Sequence, residues 1–153
     1  AKGLRVGATV ANHEVFPEEK GRLSSTWGAG DVIAAAQGVA TIDAIREHDL
    51  LANAEERGRQ LWELVADADH DCITDLRGRG LMFAVEFDSK ERREAVVKHA
   101  LERGLLTLGC GYKSLRLLPP LDVTEREIEL GVDLFLDAVD AAERDVAVAV
   151  GDD

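Results

Sequence analysis

The chain has 153 residues, with 30 acidic against 18 basic side chains and a formal net charge of −12. The negative electrostatic field of such a chain repels phosphate backbones, which argues against nucleic-acid binding. The length fits one domain, or a small domain and part of another, and we find neither an apolar run of about 20 residues that would span a membrane nor a signal segment. We therefore expect a cytoplasmic protein with no membrane partner.

The acidity has two interpretations. Only five of the basic residues are lysines, and acidic residues take their place along the predicted helix faces. An ordinary acidic protein would be kept soluble by self-repulsion. The composition favours instead a halophilic source, in which a lysine-poor acidic surface stays hydrated although salt screens its charges over short distances.

Cysteine and histidine are too sparse to predict a disulfide framework or a metal site. Cys72 and Cys110 lie far apart and form no CxxC pair, so we expect two buried or half-buried thiols. The four histidines are scattered without an i, i+4 pair. Residues 67–71 contain three aspartates and His70, a pattern that favours a solvated turn over a metal site.

The first predicted elements are a short buried strand at residues 6–10, a polar excursion and two helices. Asp31 is placed to cap a helix over residues 32–47, whose small residues allow close packing. Asp49 is placed to cap a second helix with apolar residues at helical spacing.

The second half mixes strands and helices. A strand of alternating apolar residues is predicted at 80–87, followed by a helix that begins with a capping box of Asp88 and Glu91 and ends at Gly104. Two short strands are predicted at 105–108 and 115–118. The last helix begins with a Thr124–Glu127 capping box, and its predicted inward face consists of Ile128, Val132, Phe135 and Val139. After Glu143 the helical pattern fades. A boundary near residues 48–49 would leave 50–143 as a compact α+β unit.

Three polar segments carry the candidate chemistry, and the first is Lys2. A lysine amine forms a Schiff base with an aldehyde when burial or nearby cations lower its pKa. An isolated lysine is usually solvated. Lys2 stands directly before a glycine and the predicted strand at 6–10, a setting that favours the chemical role.

The second segment is Ser-Ser-Thr-Trp-Gly at 24–28, ahead of the predicted helix at 32–47. Hydroxyls, free backbone N–H groups and the positive end of a helix dipole together suit a phosphate. Taken alone, serine and threonine before a helix are most often plain caps, so both interpretations stay open.

The third segment is Arg116, between apolar residues on a short predicted strand that ends at two prolines. Such an arginine either reaches water along its apolar stem or clamps a carboxylate with its planar fork. The prolines would stiffen the wall around a clamp. The Arg-Gly-Arg-Gly-Leu-Met run at 77–82, by contrast, is predicted to be a structural turn whose arginines form ion pairs.

Four motifs in this order resemble the class III pyridoxal-phosphate aminotransferases, the ω-aminotransferase family. They are Ala-Lys-Gly at 1–3 with Val-Gly-Ala at 6–8, Ser-Thr-Trp-Gly at 25–28, Arg-Gly-Arg-Gly-Leu-Met at 77–82 and Arg-Leu-Leu-Pro-Pro-Leu at 116–121. The second and third are most similar to the lysine 6-aminotransferase branch. The resemblance covers residues 1–142.

The resemblance implies the C-terminal part of an α/β, type I pyridoxal-phosphate-dependent transferase fold. Residues 1–48 would end the large cofactor-binding domain, residues 49–145 would form the small C-terminal α+β domain, and residues 146–153 would form an acidic tail. The substrates implied are an amino acid and a 2-oxo acid.

The resemblance also implies roles for four residues. Lys2 matches the lysine that binds pyridoxal 5'-phosphate covalently and moves a proton between substrate and cofactor. Thr26, with Ser25 as a weaker companion, matches the residue that binds the cofactor phosphate in the partner's active site, which implies a homodimer. Arg116 matches the arginine that grips the α-carboxylate of the substrate.

The chain departs from the family pattern in two places. Residues 28–31 read Gly-Ala-Gly-Asp where the family often has Gly-Gly-Asn-Pro, and the stretch from Lys2 to Thr26 is short. The family's phosphate loop, ring-stacking aromatic and pyridine-binding aspartate precede the lysine, outside this sequence, so we expect a fragment that is inactive alone. The alternative is a non-catalytic α+β ligand-binding or dimerisation module, in which Arg116 binds an effector carboxylate.

Overall fold

The computed structural model describes residues 6–7, 12, 14–15 and 31–151, with 146–151 described by their backbone alone. Lys2, Ser25, Thr26 and most of the predicted strand at 6–10 lie outside the described residues. The chain divides into two compact units, residues 1–50 and 51–153. The predicted assignment of residues 1–48 to a large domain and of 49–145 to a small one stays a prediction.

In the first unit, helix α1 spans Val32–Glu47 and begins as predicted. The carboxylate oxygen Oδ1 of Asp31 accepts hydrogen bonds from the backbone N–H groups of Ile33 and Ala34, each at 3.0 Å. These bonds satisfy two of the N–H groups that a helix start leaves without intrahelical partners. The predicted helix and its cap are confirmed.

The remaining elements form α/β architecture around an antiparallel sheet. In chain order they are α2 (Leu50–Asp67), β1 (Ile73–Arg79), β2 (Met82–Phe87), α3 (Lys90–Glu102), β3 (Leu108–Cys110), β4 (Ser114–Leu117) and α4 (Glu125–Gly151). The sheet has the order β1-β2-β4-β3, and each neighbouring pair is antiparallel. Strands β2 and β4 are therefore the inner strands.

One face of the sheet forms the hydrophobic core. Phe83, Val85 and Phe87 of β2 alternate toward this face and are at most 1% exposed. They join one buried cluster with residues of β4, α3 and α4, among them Leu115, Val96, Ala100, Ile128, Val132, Phe135 and Val139. Burying a large apolar side chain stabilises a fold by about 1.5–3 kcal/mol, so this cluster dominates the stability of the unit. The inward faces predicted for β2 and α4 are confirmed.

Helix α2 approaches the turn between β1 and β2 at two glycines. A Cβ atom on Gly58 would lie 2.4 Å from the carbonyl carbon and oxygen of Gly80, so a larger side chain at Gly58 would force the helix away from the turn. Gly80 has a φ of +54°, a left-handed conformation that glycine adopts without steric cost. The two glycines together set the distance between helix and hairpin.

Two strand boundaries in the sheet differ from the predictions. The run at 77–82 is not a turn throughout, because its first three residues belong to β1 and pair with β2. Strand β3 is Leu108–Cys110, not 105–108, because Gly109 and Cys110 continue the pairing with β4. Both boundaries are set by backbone pairing, which the pattern of side chains indicates only indirectly.

The helix starts in the second half differ in how well the sequence marks them. In α3 the hydroxyl of Ser89, not the carboxylate of Asp88, accepts the capping bond from the N–H of Arg92, at 3.2 Å. In α4 the predicted box is confirmed: the hydroxyl of Thr124 accepts from the N–H of Glu127 at 3.3 Å, and the carboxylate of Glu127 accepts from the N–H of Thr124 at 2.8 Å.

Helix α4 continues to Gly151, well beyond the point where its pattern fades. Residues 146–150 contain neither glycine nor proline, so nothing in them interrupts the helix. Within residues 31–151, no helix combines the length and the apolar character needed to cross a membrane.

The two thiols are free and lie where the sequence predicts. Cys72 is buried and Cys110 is half-buried. Burial first, and then a hydrogen bond and charge repulsion from Glu143, raise the pKa of Cys72 to about 12. The Cys72 thiol therefore stays protonated and behaves as a small core side chain.

Candidate functional site

Arg116 lies on β4, an inner strand of the sheet. Its backbone pairs with Ala84 of β2 on one side and with Leu108 of β3 on the other. Its chain neighbour Leu115 is 0% exposed and belongs to the core. Because successive side chains point to opposite faces of a strand, Arg116 lies on the outer face. Its predicted place on a short strand is confirmed.

The Nε end of the Arg116 guanidinium lies in a buried environment. Its Nε atom is buried and has no hydrogen-bond partner among the described residues. A buried N–H group without a partner costs about 1–3 kcal/mol, and more when it is charged. A ligand oxygen that accepts from Nε removes this cost. A carboxylate fits best, because the planar fork donates two parallel N–H bonds to it.

A second arginine lies in the same row across the sheet but has a different environment. Arg77 of β1 pairs with Ala84, the residue that also pairs with Arg116. Arg77 donates from Nη1 to Asp75 at 2.6 Å and to Glu86 at 2.9 Å. The predicted ion pairing of Arg77 is confirmed, and its charge is neutralised by the protein itself.

Glu86 is the acidic centre of this network. Its carboxylate also accepts from Nζ of Lys113 at 3.3 Å and from the hydroxyl of Ser114 at 3.2 Å. Hydrogen bonds from Arg77 first, and then from Lys113, lower the pKa of Glu86 below its ordinary value. In return, the bonds to Asp75 and Glu86 raise the pKa of Arg77.

The acidic groups of the outer face are thus used elsewhere. Glu86 and Asp75 pair with Arg77, and Glu86 also with Lys113. In residues 31–145 no carboxylate forms an ion pair with Arg116. Of the two arginines in this row, Arg116 is the one without an ion pair among residues 31–145.

Exposed apolar side chains accompany Arg116. Leu108, its partner on β3, is 55% exposed, and Met82 at the start of β2 is 67% exposed. A cavity of about 360 Å³ lies beside the end of β4. Its lining includes Leu117, Leu118, Pro119 and Pro120, but not Arg116. Pro119 and Pro120 therefore shape an apolar depression that is separate from the arginine.

Of the predicted site residues, Arg116 is the one that falls in the described part of the chain. The roles of Lys2, Ser25 and Thr26 stay predictions, because these residues lie outside it. Sequence reasoning missed one polar cluster, in which His70 meets two acidic residues of α4. The two acidic residues, Asp140 and Glu143, are three positions apart, a spacing that places them on one face of a helix. No local feature of the sequence indicates what that face contacts.

Comparison with known protein families decides the family. The profile of aminotransferase class-III matches residues 1–139. The chain belongs to the class III aminotransferases. The resemblance stated from the four sequence motifs is confirmed, and the enzymes of this class are pyridoxal-phosphate-dependent.

Sequence relatives of this class III aminotransferase chain are much longer than the chain. It is 36% identical over 135 residues to the L-lysine-epsilon aminotransferase of Amycolatopsis lactamdurans, covering 86% of this chain and 29% of the relative. It is 32% identical over 139 residues to the acetylornithine aminotransferase of Caldanaerobacter subterraneus subsp. tengcongensis, covering 90% of this chain and 35% of the relative. The chain therefore spans about a third of the length of these curated relatives.

Solved class III aminotransferase structures share the fold. Lysine aminotransferase from M. tuberculosis superimposes with a TM-score of 0.71 and 27% identity, over 80% of this chain and 29% of that one. Ornithine aminotransferase from Toxoplasma gondii gives a TM-score of 0.69 and 28% identity, over 73% of this chain and 28% of that one. The Toxoplasma gondii structure has PLP at partial occupancy in its active site.

The described residues fit one part of such an active site. Arg116 offers a buried N–H group, without a partner in residues 31–145, that suits the carboxylate of an amino acid. Lys2 and Thr26, which the family pattern assigns to the cofactor, lie outside the described residues.

Proposed function

We propose that this chain is the C-terminal part of an aminotransferase that moves an amino group from an amino acid to a 2-oxo acid with pyridoxal 5'-phosphate. Membership in the class III family supports the reaction type. The observation that carries the proposal is the buried Nε of Arg116, which has no protein partner in the described part of the chain. Both substrates have the carboxylate that this group requires.

The proposed roles follow the family pattern position by position. Pyridoxal phosphate, when bound, supplies the electron sink for bond breaking at the substrate carbon. Lys2 holds the cofactor covalently and moves the proton on that carbon. Arg116 fixes the substrate carboxylate and so restricts the orientation of the bound substrate.

The second set of roles requires a homodimer. Thr26, assisted by Ser25, would bind the cofactor phosphate in the active site of the partner subunit. Hydroxyl side chains suit this use, because they donate hydrogen bonds to phosphate oxygens. We place the enzyme in the cytoplasm, and its lysine-poor acidic composition supports a halophilic source.

The relatives suggest a donor class. They are named as lysine-epsilon and acetylornithine aminotransferases. We infer that the donor is an amino acid whose transferred amino group is distant from the carboxylate that Arg116 holds.

We also propose that the chain alone does not catalyse transamination. It spans about a third of the length of its relatives, and a cofactor enzyme must hold as well as use its cofactor. A chimera tests the function: this chain joined to the part of the Amycolatopsis lactamdurans relative that it does not match. The chimera should show the imine absorbance of bound pyridoxal phosphate and transfer the amino group.

Two variants of the chimera separate the roles. Lys2→Ala should abolish both the imine band and activity. Arg116→Ala should keep the band and lower kcat/KM for the 2-oxo acid about 100-fold, since two charge-assisted hydrogen bonds are lost. Arg126→Ala, at an exposed position of α4, is the matched control and should change neither.

The contrary outcomes are distinct. An unchanged kcat/KM in Arg116→Ala contradicts the carboxylate role. Stoichiometric, tight binding of pyridoxal phosphate by the unfused chain contradicts the proposal that the rest of the enzyme is essential. Carboxylate binding by the unfused chain together with an inactive chimera favours the non-catalytic ligand-binding module.

A further inference from the structure

One histidine and two carboxylates meet outside the network around Arg116. His70 lies in the turn between α2 and β1, while Asp140 and Glu143 lie one turn apart on α4. One ligand atom from each residue, an imidazole nitrogen and two carboxylate oxygens, lies within 4.8 Å of the others. The predicted solvated turn is confirmed for the three aspartates of residues 67–71, which are exposed. It is wrong for His70, whose side chain is only 14% exposed, because this face of α4 covers it.

The three groups are close, but they do not touch. The distance from Nε2 of His70 to Oδ1 of Asp140 is 3.9 Å, and that from Nδ1 of His70 to Oε2 of Glu143 is 3.5 Å. Both exceed the usual length of a hydrogen bond between nitrogen and oxygen, about 2.7–3.2 Å. The half-buried imidazole therefore faces two carboxylates across a gap.

His99 provides an internal comparison. It also lies between two carboxylates, and its side chain is 15% exposed. Its ring nitrogens, however, make direct contacts of 3.1 Å to Glu102 and 2.7 Å to Asp145. In both trios one carboxylate lies nearest Nδ1 and the other nearest Nε2. The two differ in distance: the His99 trio is closed by contacts of hydrogen-bond length, and the His70 trio is not.

We propose that His70, Asp140 and Glu143 form a site for a divalent cation of the Zn²⁺ class, which ties the α2–β1 turn to α4. Imidazole nitrogen with carboxylate oxygen is a ligand set that zinc accepts, whereas magnesium and calcium prefer oxygen alone. The cation would also neutralise two carboxylates in a chain with a net charge of −12.

The geometry allows closure around the ion. Zinc binds nitrogen and oxygen at about 2.0–2.2 Å, so the ligand atoms of a tetrahedral site lie about 3.4 Å apart. The present separations, up to 4.8 Å, would have to shorten to that value by rotation of the two acidic side chains, and the carboxylate that now faces the other ring nitrogen would have to move the further. Asp140 is 49% and Glu143 is 35% exposed, which leaves room for this rotation and for water as a fourth ligand.

Titration of the 153-residue chain with ZnCl₂ by isothermal calorimetry tests the site. The background is Cys110→Ser, which removes the half-buried thiol as a competing ligand. We expect one saturable site and a higher thermal unfolding midpoint with zinc. Asp140→Asn, at a half-exposed position where folding is least at risk, and His70→Gln should each weaken the affinity at least about 10-fold and remove the rise in midpoint.

His99→Gln is the matched control, because it removes a histidine that also lies between two carboxylates. It should keep the zinc affinity of the background chain. MgCl₂ should give no saturable heat. The proposal is overturned if no saturable zinc site exists, if Asp140→Asn and His70→Gln bind as the background does, or if His99→Gln weakens binding as much as they do.

Discussion

The two faces of the small sheet differ sharply, and neighbouring residues of β4 show how. Leu115 points into the core, is 0% exposed and belongs to one buried cluster with the helices. Arg116 points to the outer face, where its buried Nε has no partner among the described residues. One face is complete as it stands, and the other leaves a strong hydrogen-bond donor unsatisfied.

Adjacent residues of β4 thus differ in role: Leu115 contributes to stability, and Arg116 to the proposed carboxylate site. The core face stabilises the unit through burial, and its residues need no ligand. The outer face satisfies Arg77 internally but not Arg116, although both pair with Ala84. A one-residue shift of register would exchange the two faces, so the β2–β4 pairing also places the proposed carboxylate site.

The largest effect should come from the core face. Leu115→Ala removes a fully buried side chain and leaves a cavity, so the free energy of unfolding should fall by about 2–5 kcal/mol. Urea denaturation followed by circular dichroism measures the change. Leu130→Ala, at a 57% exposed position of α4, is the control. A loss below about 1 kcal/mol for Leu115→Ala would show that this face is not the core.

The outer face should respond in the opposite direction. Arg116→Met keeps an unbranched side chain but removes the N–H group that has no partner among residues 31–145, so the free energy of unfolding should rise by about 1 kcal/mol. The same denaturation experiment measures it. A clear fall in stability would mean that Arg116 has a structural partner, and the contrast with Leu115 would then fail.

The sequence predicted best the elements that carry their own local signal. The Asp31 cap, the alternation that buries Phe83 and Val85, and the Thr124–Glu127 box are all confirmed. Each depends on residues within a few positions of one another, where periodicity and capping chemistry act directly. Arg116 was found for a related reason, as a charge set in a short apolar strand.

The elements that the sequence missed depend on distant partners. Strand β1 is largely exposed and shows no apolar alternation, because it lies at the edge of the sheet and is held by backbone bonds to β2. The meeting of His70 with Asp140 and Glu143 joins segments about 70 positions apart through tertiary packing. Neither composition nor spacing encodes such a contact in a single sequence.

The smallest effect should come from acid, and it tests the paired half of the outer face. Hydrogen bonds from Arg77 and Lys113 lower the pKa of Glu86 below its ordinary value of 4.5. A carboxyl group with a lowered folded-state pKa stabilises the fold above its unfolded pKa, and this contribution disappears as the pH falls through the folded pKa. The stability difference between the wild-type chain and Glu86→Gln should therefore be constant near pH 7 and shrink below pH 4.5.

Urea midpoints at a series of pH values measure that difference. Comparing two chains also cancels the general gain in stability as acid neutralises an excess of negative charge. Glu129→Gln, at an exposed position of α4, should remain parallel to the wild type throughout. If Glu86→Gln stays parallel as well, the network does not stabilise its carboxylate. The pairing of Arg77 would then depend on Asp75 alone, and the distinction between the two arginines of this row would be weaker.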